Sequence, residues 1–175
     1  GGRLNSGTDK VDNIPGSEWA KNAVAKLSAM DNVTLMSDTT IFGVYDHGIY
    51  GALENRSSES REDSNKPRQV NWRIYAKKSI LCAGAIERSI AFGNNDRPGI
   101  MLAGAVRAYI NRFAVATGEK VSVYTNNDDG WQTAKDLRSK GIKVVAVIDS
   151  RCISPVMPIQ GAEIFMGTDV VDTKG

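Results

Sequence analysis

Apolar residues recur along this chain at two different periods, and the change of period divides it into elements. After a Gly-, Asn-, Asp- and Pro-bearing stretch from Gly1 to Gly16, which reads as a loop, Ser17 is a candidate N-cap. Trp19, Ala23, Val24, Leu27 and Met30 then follow at helical spacing. Ordinary amphipathicity makes that stripe the core-facing side of a helix. Short strand-like runs come next, at Val33–Met36, Thr39–Tyr45, Ile49–Glu54, Val70–Tyr75 and Ser79–Cys82. Asp46-His47-Gly48 joins two of them as a hairpin turn. The polar, aperiodic stretch between Asn55 and Arg68 reads as a solvated hairpin tip.

Beyond Ala83-Gly84-Ala85, the run Asn94-Asn95-Asp96-Arg97-Pro98-Gly99 is a strong breaker. Met101, Leu102, Ala105, Val106, Tyr109, Ile110 and Phe113 then predict a second amphipathic helix. A βαβ unit closes the pattern. Its parts are a strand at Val121–Tyr124, a helix at Trp131–Lys140 with Trp131, Ala134 and Leu137 on one face, a stop at Gly141, and a buried parallel-type strand at Val144–Ile148. A domain boundary is expected near Pro98, giving units 1–97 and 98–175.

Composition narrows the classes. The 175 residues are 41% hydrophobic and 24% charged, which suits a globular chain and excludes a disordered tail, a collagen or a rod. Its apolar runs fall far short of the ~20 residues of a membrane-spanning helix, so no membrane partner is expected. A net charge of +2 gives no bulk attraction for nucleic acid. One histidine, His47, excludes a histidine-cluster metal site, and Cys82 and Cys152 lack ligand spacing. No metal is expected, and two lone cysteines point to a reduced, cytoplasmic setting. The start at Gly1-Gly2-Arg3-Leu4 and the end at Lys174-Gly175 read as cuts from a longer protein.

The βαβ unit invites a dinucleotide reading, since Asp149 ends the second strand about 20 residues past the first turn. The turn itself opposes it. Thr125-Asn126-Asn127-Asp128-Asp129-Gly130 has one glycine and two carboxylates, which repel a diphosphate and block close approach of the backbone. Gly1-Gly2 and Cys82-Ala83-Gly84 are better candidates, because small residues at a strand end let a ligand near the backbone. Glu87 and Asp96 beside Arg88 and Arg97 have the residue types of an acid/base set, though surface ion pairing gives the same pattern. His47 reads as a turn residue. No complete catalytic constellation is legible.

Two runs, Ile80-Leu81-Cys82-Ala83-Gly84-Ala85-Ile86-Glu87-Arg88 and Phe92 through Ala105, closely resemble the alpha subunits of heterotetrameric sarcosine oxidases. The likeness extends to Gly1–Leu4, Thr39–His47, Tyr109–Ala116 and Val123–Asp128, and is weakest over Asn55–Lys66 and after Cys152. It implies an α/β fold, part of a flavoprotein-reductase-like pair of nested dinucleotide-binding domains, with a three-stranded antiparallel insertion from about Thr39 to Tyr75. It implies NAD in this subunit, FAD in a beta subunit, FMN between alpha and beta, and partner beta, gamma and delta subunits. The implied reaction is oxidative demethylation of sarcosine to glycine, with hydrogen peroxide formed and a one-carbon unit passed to tetrahydrofolate.

The residues matching the family's NAD site are Gly1, Gly2 and Arg3 in a Gly-Gly-x-Leu loop, Ile41 on a strand meeting the adenine, and Ala83 and Gly84 at an Ala-Thr-Gly strand end. Cys-Ala-Gly here lacks the threonine hydroxyl, and Arg3 replaces a small hydroxyl residue. Arg3 pairing with a phosphate and Arg3 crowding the site both remain open. The NAD fingerprint glycines and the acidic ribose ligand would lie upstream of Gly1. The same nested domains serve proline, opine and cyanide-forming glycine dehydrogenases. A docking module that has lost its cofactor is the alternative from another class.

Overall fold

A computed structural model of the chain describes residues 2–56, 67–153 and 158–174. Most of the predicted polar tip after Asn55 therefore lies outside the described residues. The chain forms two units, one from residues 1–22 and 86–175 and the other from residues 23–85. Pro98 falls inside the first unit. The architecture is mixed α/β, and each unit carries its own sheet.

The first unit contains the βαβ element. β6 (Lys120–Thr125), β7 (Lys143–Asp149) and β8 (Glu163–Met166) pair in parallel in that order. α4 (Asp128–Ser139) crosses from β6 to β7. Its stripe of Trp131, Ala134 and Leu137 is completely buried, against Val123, Val144 and Val147 of the sheet and Val106 and Ile110 of α3 (Ala103–Arg112). Both of these helices and the βαβ order were legible from period and breakers.

The ends of α4 explain its length. Asn127 adopts an extended backbone and its side chain accepts from the Asp129 and Gly130 amides, which satisfies two of the free N–H groups of the first turn. At the other end Gly141 takes φ +81°, a conformation costly for any residue with a Cβ. Its amide bonds Arg138 O at 3.0 Å while the Ile142 amide bonds Leu137 O at 3.0 Å. Buried Ile142 and Leu137 complete this Schellman closure with an apolar contact. At Gly130 the demand is space: a Cβ there would run into the Thr125 side chain, so the glycine sets how closely α4 meets β6.

Residues 1–16, expected as a loop, have structure of their own. α1 (Gly2–Ser6) is a short helical turn, and β1 (Lys10–Val11) pairs with β2 (Ile14–Pro15) as a minimal hairpin. Polar and glycine content signals a turn, but contacts from residues more than a hundred positions away hold this segment in shape. Later in the unit, Gly93 forms a parallel bridge with Asp172, and Asn94 Nδ2 donates to Asp172 Oδ1.

The second unit is an antiparallel meander of β3 (Thr39–Tyr45), β4 (Ile49–Asn55) and β5 (Gln69–Tyr75), matching the expected insertion. β3 bulges between Ile41 and Gly43, and the Phe42 ring lies so close over Gly51 that a Cβ there would sit 2.8 Å from it. Across the sheet, Glu54 accepts from Trp72 Nε1 at 2.7 Å and pairs with Arg56 at 2.9 Å. Those two groups, Arg56 first, hold the Glu54 carboxyl below its ordinary range.

Three further expectations are overturned. Val33–Met36 and Ser79–Cys82 are not strands, because their backbones find no ladder partner among the described residues. The stripe on α2 (Gly16–Ser28) is not buried as a whole: Trp19 and Ala23 are half-buried, but Val24, Leu27 and the following Met30 are 54%, 39% and 48% exposed. Amphipathic spacing specifies that a face is apolar, not what covers it.

Two substitutions test this packing. Leu137→Ala empties a wholly buried site in the Trp131 cluster and should lower stability by about 2–5 kcal/mol in urea unfolding. Gly130→Ala should cost about 1–3 kcal/mol through overpacking against Thr125, although alanine is the better helix former.

Candidate functional site

A ligand crevice in an open parallel sheet lies outside the carboxyl ends of the strands. Here that edge is formed by the residues after Thr125, Asp149 and Met166. The Thr125 hydroxyl donates to Asn127 O at 2.9 Å and accepts from the Asn127 amide at 3.1 Å, which locks the turn into α4. The Asn127 side chain takes the amides that a phosphate would need. Asp128 pairs with Arg151 Nη1 at 2.9 Å, and Asp129 pairs with Arg3 Nη1 at 2.9 Å. The two carboxylates that argued against a diphosphate are thus neutralised from within the chain.

Asp149, where a ribose-binding acid would stand, is fully buried and fully engaged. Its oxygens accept from Trp131 Nε1 at 2.8 Å, Arg151 Nη2 at 2.8 Å, Arg151 Nε at 3.1 Å and the Arg151 amide at 2.9 Å. The Arg151 guanidinium holds the Asp149 carboxyl far below the usual range, with Trp131 assisting and burial opposing. The pair in turn raises Arg151 further above its ordinary value, Asp149 contributing more than Asp128. Near the same edge the Tyr124 hydroxyl bonds Asp169 at 3.0 Å, and burial followed by that carboxylate pushes its pKa up.

The candidate NAD residues fall in both units. Gly2 and Arg3 lie on α1 in the first; Gly1 is outside the described residues. Around Gly2 a Cβ would meet nothing within 4 Å, and Arg3 reaches Asp9 at 3.4 Å as well as Asp129. Ile41, Ala83 and Gly84 belong to the second unit. Ile41 sits on β3 opposite Ala52 with 58% of its surface exposed. Ala83 and Gly84 are exposed in a segment that is neither helix nor strand, and Gly84 takes φ +72° with open space around it. Each glycine leaves its backbone approachable, as a dinucleotide contact requires.

Other candidates resolve into structural roles. Glu87 accepts from the Ala103 and Gly104 amides at 2.9 and 2.7 Å, capping α3 rather than serving an acid/base pair. His47 is an exposed turn residue at φ +61°. Cys82 and Cys152 are exposed free thiols. Among the described residues, no group of three or more His, Cys, Asp or Glu could hold a metal ion, and no helix is long and apolar enough to cross a membrane.

Two arrangements escaped the pattern analysis. Arg151, two residues beyond Asp149, left its signal in that short spacing at a strand end. Buried Arg107 pairs with buried Asp136 at 2.9 Å, and its signal was a charge placed on the apolar face of α3 beside Val106 and Ile110.

The depressed Asp149 pKa has a definite sign. A group ionising more readily folded than unfolded stabilises fully above the unfolded value of about 4, and that stabilisation is lost as pH falls toward the folded value. Urea unfolding should therefore show stability declining below about pH 4, with Asp149→Asn flattening that limb. At neutral pH, Asp149→Ala should cost about 1–3 kcal/mol by leaving Trp131 Nε1 buried without an acceptor.

Comparison with known proteins adds a family relation to this geometry. No family model matches the chain. It is 41% identical over 176 residues to "Sarcosine oxidase subunit alpha" of Rhizobium meliloti, covering 100% of this chain and 18% of that protein. The same-named proteins of Corynebacterium strains U-96 and P-1 are 40% and 37% identical, over 99% and 95% of this chain. The chain spans 18–19% of the length of these curated relatives. Among solved structures, the L-proline dehydrogenase of P. horikoshii matches at a TM-score of 0.63 and 25% identity, covering 85% of this chain and 28% of that one. From end to end, this chain corresponds to a segment of the sarcosine oxidase alpha-subunit family.

Proposed function

We propose that this chain is part of the alpha subunit of an amine-oxidising flavoprotein complex of the sarcosine oxidase type. The observation that carries the reading is the 37–41% identity to three such subunits over nearly all of its length. The proposed overall reaction removes two electrons from the N-methyl group of sarcosine. Oxygen takes them to give hydrogen peroxide, glycine is released, and tetrahydrofolate accepts the one-carbon unit. The complex would hold FAD and FMN, include beta, gamma and delta subunits, and work in the cytoplasm.

Within it, this segment would contribute one wall of an NAD site through Gly1, Gly2, Arg3, Ile41, Ala83 and Gly84. The open space at Gly2 and Gly84 fits a dinucleotide lying close to the backbone. Residues 1–97 would form the later part of that outer domain, and 98–175 a second, degenerate Rossmann-like region of the nested arrangement. The self-satisfied turn from Thr125 to Gly130, with Asp149 held by Arg151, supports assigning the dinucleotide elsewhere than to the βαβ unit.

The likeness to a proline dehydrogenase structure favours a second reading, in which the fold is kept and the oxidised amine is proline. The filled crevice favours a third, a docking module without a cofactor. Anaerobic addition of sarcosine to the full-length chain co-expressed and purified with its partner subunits, with the flavin absorbance of the complex followed, separates them. Bleaching by sarcosine is expected. Bleaching by proline alone would move the assignment to the second reading, and absence of flavin to the third. The 175 residues by themselves should bind NAD weakly or not at all, because the phosphate-binding turn is expected in another part of the protein. Micromolar binding in a calorimetric titration would overturn that division.

A further inference from the structure

α4 presents Asp129 and Asp136 two turns apart and hence on one face, and both grip the N-terminal segment. Asp129 takes Arg3, whose Nη1 lies 2.9 Å from its Oδ1 and 3.1 Å from its Oδ2. Asp136, only 3% exposed, accepts from the Thr8 hydroxyl at 3.4 Å, Arg107 Nε at 2.9 Å, Asn111 Nδ2 at 3.0 Å and Gln132 Nε2 at 2.8 Å. Asn111 Nδ2 also donates to Ser6 O at 2.9 Å. Residues 3, 6 and 8 are therefore each fastened to α3 or α4.

The fastened stretch is short and closed on itself. The Gly7 amide bonds Arg3 O at 2.7 Å, and the Ser6 hydroxyl bonds Gly2 O at 3.2 Å. A Cβ at Gly7 would stand 3.0 Å from Arg3 O and 3.4 Å from Arg107 Nη2, so the segment is already seated close against α3. A shift at Ser6 or Thr8 is thereby carried to Gly2 through a single helical turn.

The energetics indicate placement more than stability. A buried ion pair loses much of its Coulombic gain to desolvation, and its best-attested return is a fixed register. Here Arg107 Nη2 and Asn111 Oδ1 are buried with no hydrogen-bond partner among the described residues, which adds to that cost. The Arg3–Asp129 pair is more than half exposed, where such pairs stabilise little.

We propose that Asp129 and Asp136 are positioning residues that set the Gly2–Arg3 segment for the dinucleotide. The degenerate Rossmann-like region then anchors the neighbouring NAD site instead of binding a nucleotide, and Arg3 serves as a tether held by carboxylates, not as a phosphate ligand. The inference rests on the NAD reading above.

The test is NAD affinity of the full-length protein, measured by equilibrium dialysis and paired with the thermal unfolding midpoint. Asp129→Asn should weaken NAD about threefold to tenfold with the midpoint unchanged, because the pair it breaks is exposed. Asp129→Glu, which keeps the charge, should restore affinity to within about twofold. Asp136→Asn should weaken NAD at least as much and lower the midpoint as well. Normal NAD binding by both the wild type and Asp129→Asn would overturn the inference alone, as would equal weakness of Asp129→Glu and Asp129→Asn. Absence of NAD binding by the wild type would overturn the NAD reading and this inference with it.

Discussion

Trp131 is the largest wholly buried side chain of the first unit, and its one polar atom ends on a wholly buried carboxylate. An indole in that position removes a large apolar area from water only if its N–H finds an acceptor. Asp149 supplies one from the end of β7, so a single hydrogen bond joins the first turn of α4 to the carboxyl edge of the sheet. The carboxylate needs compensation of its own, and Arg151 provides it from the chain immediately beyond. Arg151 then reaches Asp128 at the start of α4. The loop of contacts begins and ends on the same helix turn.

This arrangement decides what the parallel sheet can offer. Nucleotide-binding units of this shape leave amides free at the helix N-terminus and an acid free at the end of the second strand. Here the amides go to Asn127 and the acid to Arg151 and Trp131. The groups are of the right kinds and in the expected places, but each is already spent on holding α4 to the sheet. Rigidity at this edge also gives the N-terminal segment a fixed base, since Arg3 and Thr8 attach to α4 itself.

The second unit has a different character. Its ladder is regular from Thr39↔Glu54 to Tyr45↔Ile49 apart from one bulge, yet Ala52 is its only buried apolar side chain among the described residues. Ile41, Phe42, Val44, Tyr45 and Tyr75 are all more than half exposed, and Ile80 and Leu81 are about nine-tenths exposed. Hydrogen-bonded register and cross-strand contacts give this meander its form.

Local chemistry alone determined α3, α4, the parallel βαβ order, the Asp46–Gly48 turn and the three meander strands, because each rests on period, capping residues or a stop near in sequence. It also marked Thr125–Gly130 as hostile to a diphosphate, since charge and glycine content are composition. Tertiary structure decided the rest. Whether Val33–Met36 and Ser79–Cys82 become strands depends on a partner ladder, and whether the α2 stripe is buried depends on an opposing surface; neither is encoded in spacing. The pairings of Arg3 with Asp129, Thr8 with Asp136 and Arg107 with Asp136 join residues 29 to 128 positions apart. A charged side chain carries no local mark of which distant carboxylate will neutralise it; only the folded chain brings the two within hydrogen-bonding distance.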